Sequence, residues 1–189
     1  TTEELAELLV ANNIKAVAYH AGLDQKLRAD RQDQFLNEDV QVIVATIAFG
    51  MGINKSNVRF VVHADLPKNI EGYYQETGRA GRDGLESEAI LFYGGGDVMK
   101  LRNFAQVEGN EEQTKILLQK LEQMVKFCET KRCRRKYLLN YFGEKAPDYC
   151  GNCDKCLSKI ELTDATLIAQ KLLSAVARLQ ERFGANYVI

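Results

Sequence analysis

The chain has 189 residues, of which 46% are hydrophobic and 27% charged, with a formal net charge of −1. That is room for one full domain and a smaller one, in the composition range of soluble globular chains. No apolar run reaches the ~18–20 residues of a membrane span, and no basic-then-apolar segment opens the chain. The reading is therefore a cytosolic or nuclear protein with no membrane partner. A near-neutral total gives no global sign of nucleic acid, so phosphate would have to be held by a local patch. Lys131, Arg132, Arg134, Arg135 and Lys136 form one, although a solvated helix face has the same composition.

In chain order, Thr1 and Glu4 predict a capping box, with Leu5, Leu8 and Leu9 on one helical face. An apolar strand over 16–19 ends at His20-Ala21-Gly22, and a helix is expected from Asp24 to Leu36. The strand over 40–45 is nearly all apolar, as when a parallel strand is buried on both faces. A strand over 60–63, a helix from Asn69 and a strand over 89–93 continue the alternation, which predicts an α/β layered fold with a parallel sheet. The opening helix reads as the second half of a strand–helix unit, so the strand ahead of it is missing. Gly94-Gly95-Gly96 marks a break. Beyond it only helices are predicted, over 98–107, 111–127 and 134–141, with a last one from an N-cap at Thr163 to about Phe183, stopping at Gly184.

The stretch 75–84 carries the most chemistry. If the helix from Asn69 continues through it, Gln75, Arg79 and Arg82 fall at i, i+4 and i+7 on one face. Two guanidiniums aimed one way suit a polyphosphate, and the glycines allow close approach. A frayed helix end with solvated arginines is the plainer alternative. In the stretch 45–55 a buried strand ends in Thr46 and a Gly-rich turn, where backbone N–H groups could meet phosphate. It lacks the glycine spacing of both the Walker A loop and the dinucleotide fingerprint.

Five cysteines fall in one stretch, and in such a chain metal ligation is favoured over disulfides. Cys150, Cys153 and Cys156 are spaced C-x2-C-x2-C, with Cys133 upstream, and four thiolates can close a tetrahedral zinc site. A ferredoxin cluster would need a further Cys-Pro that is absent, and four free buried cysteines are the remaining alternative. Arg132, Arg134 and Arg135 could offset the charge of a zinc tetrathiolate. Cys128 fits no ligand spacing and reads as a core residue.

Taken together, these stretches resemble motifs V and VI of superfamily 2 helicases, and those of the RecQ family in particular. The residues that carry the resemblance are His20-Ala21-Gly22-Leu23, 45–55, 59–63, Tyr73-Tyr74 through Gly84, Cys133-Arg134-Arg135, Asn140-Tyr141-Phe142-Gly143, the Cys150–Cys156 cluster and Arg182-Phe183-Gly184. The resemblance implies a second RecA-like domain over 1–94, a helical zinc-binding domain over 95–162 and the start of a winged-helix domain over 163–189. It implies a parent protein that is an ATP-dependent DNA helicase of replication, recombination and repair, with ATP and Mg as substrate pair. Its DNA partners would be single strands and duplex junctions, in a bacterial cytoplasm or a eukaryotic nucleus. Walker A and the Asp-Glu-x-His box, carried by the first motor domain of the family, are absent here, so this chain would supply one wall of the ATP site. On that resemblance Arg82 is the arginine finger and Arg79 its companion, with Gln75 and Asn54 near the nucleotide, while His20, Gly22, Thr46 and Gly50 face the single-stranded DNA. The rival from another class is a non-catalytic, zinc-dependent DNA-binding or protein-interaction module. A thiol redox protein has little support, because no thioredoxin-like context accompanies the cysteines.

Overall fold

The computed structural model describes residues 1–49, 55–158 and 164–180. Gly50, Asn54, the Thr163 cap, the Gly184 stop and Arg182-Phe183-Gly184 lie outside the described residues. The chain packs as two compact units, Thr1–Thr130 and Lys131–Ile189.

The first unit opens on α1 (Thr2–Ala11), which carries the expected capping box. The Thr1 hydroxyl accepts from the Glu4 N–H at 3.2 Å, and the Glu4 carboxylate accepts from the Thr1 amine at 2.7 Å. α2 (Gln25–Leu36) starts at Asp24, whose carboxylate accepts from the Leu27 N–H at 2.9 Å. Between and after these helices, β1 (Ala16–Tyr19) and β2 (Val42–Ala45) pair in parallel with Ala16 opposite Val42. A 3₁₀ turn, Ile47–Phe49, sets the Phe49 ring edge-on to Tyr19 at 4.8 Å and to Phe35 at 5.8 Å. With Ala6 and Ala18, these rings close the first hydrophobic cluster.

The second half of this unit is built on β3 (Phe60–His63) and β4 (Glu88–Leu91), also parallel, joined by the crossover helix α3 (Ile70–Thr77). α4 (Gly95–Phe104) and α5 (Glu111–Glu129) follow. Ile70 and Met124 are fully buried and Phe127 is 2% exposed. Burial of each such side chain is worth about 1.5–3 kcal/mol. His63, Tyr73 and Phe127 stand in a row with 5.1 Å between successive ring centres.

The expected parallel sheet is thus present as two two-stranded ladders. Among the described residues the second edges of β2 and β3 carry no ladder, and both strands line one cleft of about 1800 Å³. The Gly94–Gly96 segment is less of a break than its composition suggests. The Asp97 carboxylate accepts from the Gly94 N–H at 3.2 Å, so the glycines cap and open α4. α4 and α5 pack within the first unit, which places the packing boundary at Thr130.

The second unit contains α6 (Arg134–Tyr141), the short α7 (Asp154–Leu157) and α8 (Thr166–Arg178). α8 begins later than the sequence pattern predicts, where the Asp164 carboxylate accepts from the Thr166 N–H at 2.9 Å. Among the described residues no helix is long and apolar enough to cross a membrane.

Candidate functional site

Cys133, Cys150, Cys153 and Cys156 converge in the second unit, their sulfurs all within 4.8 Å of one another. Cys133 is the N-cap of α6 and Cys153 that of α7, while Cys150 lies in the loop ahead of α7 and Cys156 within α7. Backbone amides point at the sulfurs. Lys136 N–H donates to Cys133 Sγ, Arg134 N–H to Cys153 Sγ and Cys150 N–H to Cys156 Sγ, each at 3.4 Å. Such donors favour thiolates. Cys150 Sγ and Cys156 Sγ lie 3.8 Å apart, and a tetrahedron with Zn–S bonds of 2.3 Å has edges of about 3.8 Å. At Cys150 burial opposes ionisation, but the amides of Asn152 and Cys153 and the Cys133 thiol outweigh it and bring the pKa down to about 6. The Cys150 amide favours the thiolate of Cys156 too, yet burial and the neighbouring sulfurs of Cys153 and Cys133 prevail and push its pKa up to about 11. Thiols this crowded cannot all ionise together, whereas a dication at their centre would let them. The residues present therefore fit zinc. Basic residues of the predicted patch are held by carboxylates near the cluster. Arg134 bonds Asp154 through Nε at 2.5 Å and Nη2 at 2.9 Å, and Lys136 is paired with Asp148. Arg132, though exposed, also acts on the Asp148 carboxylate, and Lys131 and Arg135 are exposed.

The arginine stretch differs from its sequence reading. α3 ends at Thr77 with Gly78 as C-cap, so Gln75, Arg79 and Arg82 do not share one helical face. The physical reason is glycine. After Thr77 the helical bonds shorten to Arg79 N–H on the Glu76 carbonyl and Ala80 N–H on the Thr77 carbonyl. At Gly81, with φ +67°, the N–H leaves for the Val58 carbonyl, so the chain turns where a helix would have continued. Gln75 lies in the last turn of α3 and, with Arg79, lines the cleft beside β2 and β3. Arg82 sits further along the turn, and its Nε donates to the Gly78 carbonyl at 3.2 Å.

One residue unassigned by sequence reasoning organises this turn. Arg59 donates through Nε to the Asn57 carbonyl and through Nη1 to the Glu86 carbonyl, both at 3.1 Å, and through Nη2 to Asp83 Oδ2 at 2.5 Å. The Arg59 guanidinium holds the Asp83 carboxyl below its ordinary value of 3.8. A depressed carboxyl pKa means that the tie is complete above about pH 4 and is lost as pH falls through the lowered value. In a carbon-detected NMR titration Asp83 is therefore expected to titrate below 3.8, with Arg59→Met moving the midpoint upward. An unchanged midpoint in the variant would show that the pairing is absent in solution.

Of the described residues assigned to a DNA track, His20 and Thr46 directly follow strands. His20 follows β1, and its Nε2 lies 3.1 Å from Glu3 Oε1. Gly22 leaves room for that ring, since a Cβ would lie 3.1 Å from His20 Nδ1. Thr46 follows β2, its N–H donating to the Tyr19 carbonyl at 3.1 Å and its hydroxyl accepting from Ala48 N–H at 3.4 Å. His20 and Thr46 line the same cleft as Gln75 and Arg79. Lys55, at the end of the stretch 45–55, is held by residues at and just after the end of α2. Its Nζ donates to Glu38 at 3.1 Å and to the Leu36 carbonyl at 3.5 Å, over the Phe35 ring. Asn57 bonds the same Glu38 carboxylate at 2.5 Å.

Three family profiles match in succession: the helicase conserved C-terminal domain over 1–84, the RecQ zinc-binding domain over 95–157 and the RQC domain over 159–189. Residues 1–84 are thus a helicase conserved C-terminal domain of RecA-like fold, and the four-cysteine cluster is a structural zinc site. The chain is 48% identical over 186 residues to the ATP-dependent DNA helicase RecQ of Bacillus subtilis, covering 98% of this chain and 32% of that protein. It is 50% identical over 187 residues to the ATP-dependent DNA helicase RecQ of Haemophilus influenzae, covering 99% and 30%. With the RecQ-like DNA helicase BLM of Xenopus laevis the identity is 47% over 168 residues, covering 83% and 12%. The chain belongs to the RecQ family. It spans about a third of the length of its bacterial relatives.

Proposed function

We propose that this chain works as the second motor domain, zinc module and winged-helix entry of an ATP-dependent DNA helicase, with boundaries near residues 94 and 162. The observation that carries the reading is the placement of Gln75 and Arg79 on the cleft wall, with Arg82 presented on the adjoining turn. A first motor domain bearing Walker A would close over ATP and Mg from the other side. Arg82 then neutralises charge that develops on the transferring phosphoryl group, and Arg79, Gln75 and Asn54 hold the nucleotide. His20, Gly22, Thr46 and Gly50 contact the sugar-phosphate backbone of single-stranded DNA, which gives grip without sequence choice. Cys133, Cys150, Cys153 and Cys156 hold the zinc, which supplies structure rather than reactivity. Duplex junctions are the DNA substrate of the complete protein.

The reading is tested by phosphate release. The chain alone lacks the P-loop Lys and Ser/Thr and the acid that positions water, so it should release no phosphate above buffer, with or without DNA. Joined to a first motor domain it should hydrolyse ATP in a DNA-stimulated manner. Absence of hydrolysis from a folded, zinc-loaded joined protein would favour a non-catalytic zinc-dependent DNA-binding module.

A further inference from the structure

We propose that Arg59 is a positioning residue for Arg82, fixing the turn that presents it; this rests on the reading of Arg82 given above. Arg82 lies between two anchors. On one side Gly81 N–H donates to the Val58 carbonyl at 3.0 Å. On the other, the Asp83 carboxylate is gripped by Arg59, and its second oxygen accepts from Leu85 N–H at 3.1 Å. Further on, the Glu86 carbonyl takes another Arg59 donor, and Glu88 N–H returns to the Arg59 carbonyl at 2.9 Å. One guanidinium thus ties the approach to β3, the middle of the turn and the approach to β4. Gly81 and Gly84, at φ +67° and +80°, give the turn its shape but also make it soft, since glycine populates many conformations. The rigid three-way fork of arginine removes that freedom, and lysine, a single point charge, cannot reproduce it.

The tests use the full-length protein that contains this chain. Arg59→Ala is expected to lower kcat for ATP by about tenfold to a hundredfold, the loss associated with small misplacement of a catalytic group. KM for ATP, single-stranded DNA affinity and zinc content should stay within about twofold. Asp83→Asn, a milder change at the other end of the tie, should lower kcat in the same way, and Arg59→Lys should recover part of the loss. The deciding variant is Arg59→Ala combined with Arg82→Ala. If Arg59 acts only by placing Arg82, the double variant is no slower than Arg82→Ala alone, because residues that act as one unit are non-additive. Losses that multiply would mean that Arg59 meets the nucleotide by itself, and an unaffected kcat in Arg59→Ala would mean that the turn holds without it. Either result overturns the positioning role while leaving the Arg82 assignment intact. An Arg82→Ala protein with normal turnover overturns both.

Discussion

Arg82→Ala in the complete protein is expected to cut ATP turnover by about 10³–10⁵, the range that arginine fingers supply, with single-stranded DNA affinity nearly unchanged. The size follows from where the charge acts. A guanidinium that meets the phosphoryl group only as negative charge develops lowers the barrier without tightening ground-state binding, so the loss falls on kcat and kcat/KM alike. Arg82 sits on an exposed turn with its Nε donating to the Gly78 carbonyl, and the backbone anchors on either side belong to its neighbours. Steady-state ATPase measurements and a fluorescence titration with labelled single-stranded DNA separate the two terms. A variant whose DNA affinity collapses while turnover survives would move Arg82 to the DNA track.

Serine at Cys133, Cys150, Cys153 or Cys156 is expected to release the zinc and unfold much of the second unit. Apparent zinc-binding energies of about 10–16 kcal/mol are typical of small zinc peptides, and in such modules binding free energy is folding free energy. The second unit has little else to hold it. Cys133 is its one buried hydrophobic side chain among the described residues, and Leu157, Leu167, Ile168 and Leu173 are exposed. Cys128→Ser should keep its metal, because Cys128 lies on α5 in the other unit. Elemental analysis gives the result directly. Zinc retained by any of the four serine variants, or lost equally from Cys128→Ser, would overturn the ligand set.

Much of this was legible in the sequence for identifiable reasons. Helix starts at Thr1, Asp24 and Asn69 are written in single side chains that bond the next turn, and the structure shows each bond. The cysteine cluster was legible because three of its members are local, while Cys133 returns from the head of α6. The end of α3 was misread because helical periodicity at Gln75, Arg79 and Arg82 ignores what Gly81 must do. Arg59 went unassigned because its partners, Asp83 and Glu86, come from a turn that only the β3–β4 pairing brings near. The same holds for Glu38 with Lys55 and Asn57, and for Asp148 and Asp154 with the basic residues of α6. Pairs between distant surface charges leave no periodic trace.

The split of the first unit into two parallel ladders has a consequence for how its halves respond to solvent. A two-stranded ladder is marginal alone, so each half owes its stability to its own helices and rings. Side-chain links described between the halves include a charged one: Lys55 and Asn57, ahead of β3, converge on the Glu38 carboxylate after α2, with Lys55 also over the Phe35 ring and bonded to the Leu36 carbonyl. Glu38 is 64% exposed, within easy reach of mobile ions, while the aromatic clusters are not. Ionic strength therefore acts on the ionic part of this linkage, which is screened over about 8–10 Å near physiological salt, and much less on the Lys55 contact with Phe35. Added salt is expected to weaken the Lys55–Glu38 pair while leaving the Tyr19–Phe49 and Tyr73–Phe127 contacts in place.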